Sequence, residues 1–227
     1  SFLQAQTGLG KTYGYLLPAL AQTSKQILVT VPTKVLQDQI VANEGQKLEE
    51  IFHLSVHSLK SPANYLKLDF FYDSLQRVDD NRLVNRCKML LLVWLTETES
   101  GDLDEIGQRH RYQTYFQQVL HDGKLSKKSL FYGADFWQKG QEKSKRSRVL
   151  VTNHAYFLTR LEDDKSIVEN RLLIVDEAQK LFLALENLSR KSLNMTKCLQ
   201  QIQSELETTD TILRRRLVED IQFELTH

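Results

Sequence analysis

The sequence predicts an α/β fold in which a parallel sheet is flanked by helices. Three apolar runs, at residues 26–31, 148–152 and 171–175, indicate buried strands. Helical patterns separate these runs, as the crossovers between parallel strands require. Polar residues follow each run, and ligands of parallel sheets bind at the carboxyl ends of the strands. We therefore expect the functional residues to lie along one edge of the sheet.

The composition is that of a globular protein of 227 residues, with 41% hydrophobic and 26% charged residues. Its net charge of +1 means that any surface for nucleic acid must come from local clustering of basic residues. Cys87 and Cys198 are far apart, which predicts no disulfide framework and favours a reducing compartment such as the cytoplasm. No apolar run approaches the roughly 18 residues of a membrane span.

A glycine-rich stretch, Ala-Gln-Thr-Gly-Leu-Gly-Lys-Thr, occupies residues 5–12 between a short apolar opening and a helical pattern. That order is typical of a phosphate-binding loop, whose glycines let backbone N–H groups converge on phosphates at the start of a helix. Lys11 should reach the β- and γ-phosphates of a nucleotide, and Thr12 should ligate Mg²⁺. A plain turn is the less favoured alternative. The predicted nucleotide contacts are Ala5, Thr7, Gly8, Leu9, Gly10, Lys11 and Thr12.

An acidic pair, Asp176 and Glu177, ends the third apolar run. An aspartate at this place can hold the water shell of the Mg²⁺ ion that Thr12 contacts. The neighbouring glutamate can orient and deprotonate an attacking water molecule. Surface acidic pairs are common, but this pair occurs in a chain with the loop described above. We therefore predict that Lys11, Asp176 and Glu177 are the catalytic residues.

Residues 58–148 show helical patterns and little strand signal. Two stripes at helical spacing predict core faces: Leu83, Cys87, Leu90, Leu91 and Trp94, and then Tyr112, Tyr115, Phe116 and Val119. We expect Asp79 or Asp80 to cap the first of these helices. Cys87 is then a small core residue and not a metal ligand.

The segment 124–148 is basic, with eight lysines or arginines against two acidic residues. Four aromatic residues are interleaved with these charges: Phe131, Tyr132, Phe136 and Trp137. Basic charge with aromatic side chains is typical of surfaces that bind single-stranded nucleic acid. A solvated charged loop explains the same composition equally well.

Several stretches resemble one family of motor proteins. The Ala-x-Thr-Gly-x-Gly-Lys-Thr form of the loop is similar to that of superfamily 2 helicases. The resemblance narrows to the DinG branch of the XPD/DinG helicases through Asn-Tyr-Leu at 64–66, Trp-Leu-Thr-Glu-Thr at 94–98, Gly-Asp-Leu-Asp-Glu at 101–105, Val-Thr-Asn-His-Ala at 151–155 and Val-Asp-Glu-Ala at 175–178. It implies a RecA-like domain, ATP and Mg²⁺ as cofactors, and 5′→3′ movement on single-stranded DNA.

The resemblance also implies which residues contact nucleic acid: Pro32, Thr33, Lys34, Gln37, Asn153 and His154. Thr33 is a possible N-cap, and an ordinary capped helix after a strand explains residues 32–39 equally well.

Two positions depart from the family pattern. The family's inserted domain often holds a four-cysteine iron–sulfur cluster, but Lys67 stands where the cysteine after Asn-Tyr-Leu is expected. One cysteine in the insertion cannot hold such a cluster, so we expect none. The family's Asp-Glu-Ala-His is Asp-Glu-Ala-Gln here. Gln179 can bridge the nucleotide and neighbouring motifs by hydrogen bonds, but it cannot titrate as a histidine would.

The resemblance predicts four segments. Residues 1–57 and 149–187 form a motor domain, 58–148 an inserted helical region, and 188–227 a helical segment that starts an arch-like insertion. A working helicase also needs a second motor domain, so we interpret the chain as an excised half-motor whose partners are single-stranded DNA and that second domain. The alternatives are a nucleotide-gated module that assists an attached nuclease without unwinding, and a P-loop kinase, which the elements at 32–34 and 152–154 disfavour.

Overall fold

The computed structural model describes residues 4, 10–77, 79–107, 109–190 and 216. The chain divides after Leu185 into two units, and the fold described below is that of the first. Its described strands are β1 (Gln26–Val31), β2 (Val56–Ser58), β3 (Val149–Asn153) and β4 (Arg171–Val175). They form one parallel sheet in the order β2-β3-β1-β4. The predicted α/β class, a parallel sheet flanked by helices, is confirmed.

The described helices are, in chain order, α1 (Lys11–Gln22), α2 (Lys34–Gln39), α3 (Gln46–Phe52), α4 (Leu68–Leu75), α5 (Arg82–Glu97), α6 (Gln113–Val119), α7 (Phe136–Arg146), α8 (His154–Asp163) and α9 (Ala178–Ser189). A π-helical segment, Ile40–Gly45, joins α2 to α3. α1 continues through Pro18, which does not end it. None of the described helices is long and apolar enough to span a membrane. The helices predicted over 188–227 lie almost entirely outside the described residues.

The central strands β1 and β3 are buried on both faces, as their unbroken apolar runs predict. Because successive side chains of a strand point to opposite faces, each strand contributes to two cores. One core packs Val29 and Val151 against helices α1 and α3, and the other packs Leu28 and Leu150 against α8. These helices cover the sheet and fix the strand ends in space.

The outer strands differ from the prediction. β4 was expected to be buried, but Leu172 and Leu173 are each 37% exposed, because the only described strand beside β4 is β1. β2 was not predicted at all. Its three residues are too few to show a strand pattern, and parallel pairing with β3 defines it.

The region between β2 and β3 has a core of its own, and both predicted stripes contribute to it. Its buried members include Cys87, Leu91, Tyr112, Tyr115, Phe116 and Val119, while Leu90 and Trp94 are partly buried. Leu83 is exposed. The predicted cap of α5 was wrong: Asn81, next to the first helical residue, accepts a hydrogen bond from the Leu83 backbone N–H at 2.9 Å. Asp79 instead accepts from the Asn81 N–H.

Candidate nucleotide and nucleic-acid site

The start of α1 is shaped to receive an anion. Gly10 is its N-cap and adopts the left-handed region at φ 67°, where a residue with a side chain would be strained. Gly10 has no side chain with which to cap the helix, and the first N–H groups of a helix can bind an anion. Lys11 and Thr12 are its first two residues. The other predicted loop contacts, Ala5, Thr7, Gly8 and Leu9, lie outside the described residues.

Tyr15 lies one turn along α1 from Thr12 and was not identified by the sequence analysis. Burial raises the pKa of the Tyr15 phenol, the Asp176 carboxylate raises it further, and the Thr12 hydroxyl opposes the shift. The buried hydroxyl of Tyr15 has no hydrogen-bond partner among the described residues. The charge of Asp176 therefore acts on a buried phenol in the first turns of α1.

The acidic pair lies in a turn between β4 and α9. The Asp176 backbone N–H donates to the Thr30 carbonyl at 2.9 Å, which ties the end of β4 to β1. Glu177 has a φ of 48°, which is uncommon for a residue with a side chain. Strained backbone of this kind clusters at functional sites.

The Glu177 carboxylate forms an ion pair with Lys180 at 2.7 Å. This hydrogen bond is the main cause that lowers the pKa of Glu177, and the more distant charge of Lys11 acts in the same direction. Lys11 is therefore close enough to act on the predicted base. Lys180 was not identified from the sequence, although its i,i+3 spacing from Glu177 is a detectable signal. Gln179 is exposed at the start of α9.

His154 is enclosed where β1, β3 and the acidic turn meet. Its Nδ1 shares a hydrogen bond with the Thr30 hydroxyl at 2.8 Å. Burial lowers the pKa of the imidazole, against the opposing effect of the Asp176 and Glu177 backbone, so the ring is neutral at pH 7. Thr30 thus contacts Asp176 through its carbonyl and His154 through its hydroxyl. In this conformation His154 faces the acidic turn and not solvent.

Gln37 and Asn153, two predicted nucleic-acid contacts, form a buried hydrogen-bond network. Gln37 is 0% exposed, and its amide nitrogen donates to the Ser58 hydroxyl and to the carbonyls of Leu59 and Val151. Its Oε1 accepts from Asn153 Nδ2 at 3.0 Å. Asn153 Oδ1 in turn caps α8. Both amides hold α2 against the ends of β2 and β3 and present no surface to a ligand.

The remaining predicted contacts lie at the start of α2. Thr33 caps this helix by accepting from the Leu36 N–H at 3.2 Å, as predicted. Thr33 and Lys34 are exposed, and Pro32 is half-buried. Lys34 Nζ contacts Asn64 Oδ1 at 2.5 Å and Asp104 Oδ2 at 3.3 Å. The sequence analysis did not anticipate that the inserted region supplies partners for Lys34.

The basic segment separates into exposed charges and packed aromatic rings. Phe131 packs on Tyr72 with ring centroids 5.7 Å apart, and Trp137 packs on His121 at 4.8 Å. Its exposed cations are Lys124, Lys127, Lys128, Lys139, Lys143, Lys145 and Arg146, and none pairs with a carboxylate in the described part of the chain. The segment therefore presents exposed positive charge, while Phe131 and Trp137 pack on neighbouring rings.

Comparison with known proteins identifies the domain. Residues 1–91 match the DEAD/DEAH box helicase family. This part of the chain is therefore similar to DEAD/DEAH box helicase domains. The chain is 30% identical over 185 residues to the 3′-5′ exonuclease DinG of Bacillus subtilis (strain 168), covering 78% of this chain and 20% of that protein. Its identity to the 3′-5′ exonuclease DinG of Staphylococcus aureus (strain USA300) is 29% over 192 residues, covering 80% of this chain and 20% of that protein.

The fold of this helicase domain is similar to that of a solved structure named Truncated XPD. The TM-score is 0.51 at 13% identity, over 96% of this chain and 58% of that one. The predicted resemblance to superfamily 2 helicases of the XPD/DinG type is confirmed. The chain spans about a fifth of the length of the curated relatives it matches.

ATP and Mg²⁺ are the cofactors that this family implies, and the described residues fit them. The helix α1 begins at Gly10 without a side-chain cap, and Thr12 and Asp176 would each supply one oxygen ligand to an ion that keeps waters and phosphate oxygens. No group of three or more His, Cys, Asp or Glu side chains that could hold a metal occurs among the described residues. The absence of an iron–sulfur cluster stays a prediction.

Proposed function

We propose that this helicase domain binds Mg²⁺–ATP at the start of α1 and couples its hydrolysis to 5′→3′ movement on single-stranded DNA when it works with a second motor domain. The observation that supports this most is that the Asp176 N–H donates to the Thr30 carbonyl at 2.9 Å, which fixes the acidic turn at the end of β1, while α1 begins at Gly10 without a side-chain cap. The direction of movement rests on the family resemblance alone.

Each residue of the nucleotide site has a proposed role. Lys11 binds the β- and γ-phosphates, and Thr12 and Asp176 hold Mg²⁺. The ion neutralises charge that develops on the transferred phosphoryl group. Gln179 is exposed at the start of α9, and its proposed role is to donate a hydrogen bond to the nucleotide.

Glu177 is the proposed general base, and Lys180 controls its basicity. While the ion pair persists, the carboxylate is ionised but is a weak base, because its pKa is lowered. A base works best when its pKa lies nearer the working pH. Release of Lys180 therefore raises the affinity of Glu177 for the proton of the attacking water. We infer that closure of the complete motor separates this pair.

Nucleic acid is proposed to lie across the exposed start of α2. Thr33 and Lys34 are the accessible members of the predicted set, and the exposed cations of segment 124–148 extend the positive surface. Binding through phosphates releases counterions and weakens steeply with salt. The buried Gln37, Asn153 and His154 hold the strand ends that carry this surface.

Comparing this chain with one extended through a second motor domain tests the proposal. An arginine finger from such a domain is worth about 10³ to 10⁵ in rate. The 227-residue chain should therefore bind Mg²⁺–ATP but hydrolyse it slowly, and the longer one should show turnover stimulated by single-stranded DNA. The assay is steady-state phosphate release by both, with and without DNA. Fast, DNA-stimulated hydrolysis by the short chain would refute the half-motor interpretation.

A second candidate function is a nucleotide-gated clamp that serves an attached nuclease and does not unwind DNA. The observation that favours it is that the curated relatives are named 3′-5′ exonuclease DinG and are about four times as long as this chain. Strand separation by the complete protein, measured on a forked duplex, distinguishes the candidates. Unwinding supports the motor, whereas nucleotide-dependent cleavage without unwinding supports the clamp.

A further inference from the structure

The loop 101–105 of the inserted region contacts the end of α5 and the start of α7. None of these three stretches belongs to the proposed nucleotide site. Glu105 accepts hydrogen bonds from Trp94 Nε1 at 2.9 Å, Thr98 Oγ1 at 2.7 Å and Ser100 Oγ at 2.5 Å. Burial opposes ionisation of Glu105, yet these three donors lower its pKa. The loop 101–105 is thereby fastened to the end of α5.

The same loop is fixed from its other side by α7. Gly101 has a φ of 68°, and a Cβ atom on it would lie 2.1 Å from Cγ of Phe136. Only glycine fits there without displacing the first residue of α7. Held at both sides, the loop presents Asp102 and Asp104 at defined positions.

Each of these aspartates meets one lysine of the segment that carries α2 and β2. Lys60 is 5% exposed and lies between Asp102 and Asp38, 2.7 Å from the latter. Burial opposes its charge, but the two carboxylates raise its pKa overall. Lys34 is 45% exposed and lies 3.3 Å from Asp104.

The two ion pairs differ in how easily they can be exchanged. Lys60 is enclosed, so its removal would leave a buried carboxylate without its charge partner. Lys34 is open to solvent, and such pairs contribute little to stability. Asp104 also binds Arg109 at 3.0 Å, and it would keep this partner if Lys34 left. Arg109 is itself held by the Ala63 carbonyl.

We propose that Asp104 is an electrostatic latch on Lys34, which exchanges Asp104 for a phosphate of single-stranded DNA. This rests on the proposed function, because it takes Lys34 as a phosphate contact. The ion pairs of Lys60 persist when DNA binds, and only the ion pair between Lys34 and Asp104 separates. The loop 101–105 thus lowers the affinity of α2 for nucleic acid, and DNA binding separates the ion pair between α2 and this loop.

The test is fluorescence anisotropy of a labelled oligothymidylate with the full 227-residue chain. Asp104→Asn removes the competing charge, so it should bind about two- to fivefold more tightly at low salt, the range expected for an exposed ion pair. Asp73→Asn is the matched control, because Asp73 is an exposed carboxylate of the inserted region that forms no ion pair among the described residues. Its effect should be smaller.

Lys34→Ala separates this proposal from the one it rests on. It should weaken binding and reduce the salt slope by about 0.7, the value for one phosphate of a single strand. Adding Asp104→Asn should then have no further effect. If Lys34→Ala binds as the parent does, the phosphate contact itself is refuted.

If Lys34→Ala weakens binding but Asp104→Asn changes it no more than Asp73→Asn does, the latch alone is refuted. Weaker binding by Asp104→Asn would also refute it. Thermal unfolding confirms that each variant is folded, and Asp104→Ser replaces Asp104→Asn if the latter is not.

Discussion

The nucleotide end and the nucleic-acid end of this domain use their signature residues differently. At the start of α1, Gly10 provides no side-chain cap, and the charge of Asp176 acts on the buried Tyr15 phenol. At the ends of β2 and β3, the side chains of Gln37 and Asn153 are buried and form a hydrogen bond with each other. One set of polar residues is arranged for chemistry and the other for holding elements together.

This difference shows that a polar residue at a strand end need not face the ligand. Parallel strands end at one edge, where helices begin and backbone groups need partners. An amide such as Gln37 can donate and accept at once, so it suits a junction of three elements. The variants below separate the two kinds of residue by asking which ones change activity and which change stability.

The largest effect is expected for Glu177→Gln in the complete protein. It removes the proposed base but keeps the shape, so turnover should fall about 10²- to 10⁴-fold. ATP affinity should be nearly unchanged. Phosphate release and calorimetric titration measure the two quantities, and Glu162→Gln, on the exposed end of α8, is the control. Hydrolysis at the parent rate would remove Glu177 from the mechanism.

Gln37→Ala should act on stability. It leaves Asn153 Nδ2 without its acceptor, removes one donor each from the Ser58 hydroxyl and from the carbonyls of Leu59 and Val151, and opens a cavity. We expect a loss of about 2–4 kcal/mol in the free energy of unfolding, measured in urea. Gln39 is exposed on the same helix, so Gln39→Ala should change the free energy of unfolding little. If both variants unfold alike, the buried network does not hold α2.

Lys11→Ala should weaken Mg²⁺–ATP binding by about 1.5–3 kcal/mol, because it removes a charge-assisted contact to the phosphates. Its stability should stay close to that of the parent. Isothermal titration measures the affinity, with Lys25→Ala as a control lysine beyond the other end of α1. Unchanged affinity would contradict the assignment of the loop.

A smaller effect concerns pH and His154. Burial lowers the pKa of its imidazole in the folded state, so the unfolded chain binds a proton more readily. The stability from the neutral ring is full above the ordinary histidine pKa of about 6.5 and is lost as the pH falls below it. His154→Gln should weaken this dependence in urea unfolding. Burial also lowers the pKa of His57, which contributes to the pH dependence of the parent and the variant alike. Equal pH dependence would contradict the prediction.

Much of the fold follows from local patterns. The runs at β1 and β3 are apolar without interruption and β-branched, which is enough to specify central strands. Helical spacing correctly placed Cys87, Tyr115 and Phe116 in a core. The N-cap at Thr33 was predictable because a cap depends on atoms within three residues.

The prediction failed where the outcome depended on segments distant in sequence. β2 has no pattern of its own and exists through pairing with β3. The cap of α5 was missed by one or two residues because three adjacent candidates, Asp79, Asp80 and Asn81, can all cap a helix through a side-chain oxygen. Only the register of the helix selects among them.

By itself, the sequence determined the α/β class, the glycine-rich loop and the acidic pair, since each is encoded in contiguous residues whose backbone geometry is local. Only the tertiary structure decided which polar residues face outward. It buried Gln37, placed Tyr15 beside Asp176, and gave Lys34 a partner 70 residues away. Burial and ion pairing depend on which distant segments share a volume, and a single sequence specifies that only through the packing of the whole domain.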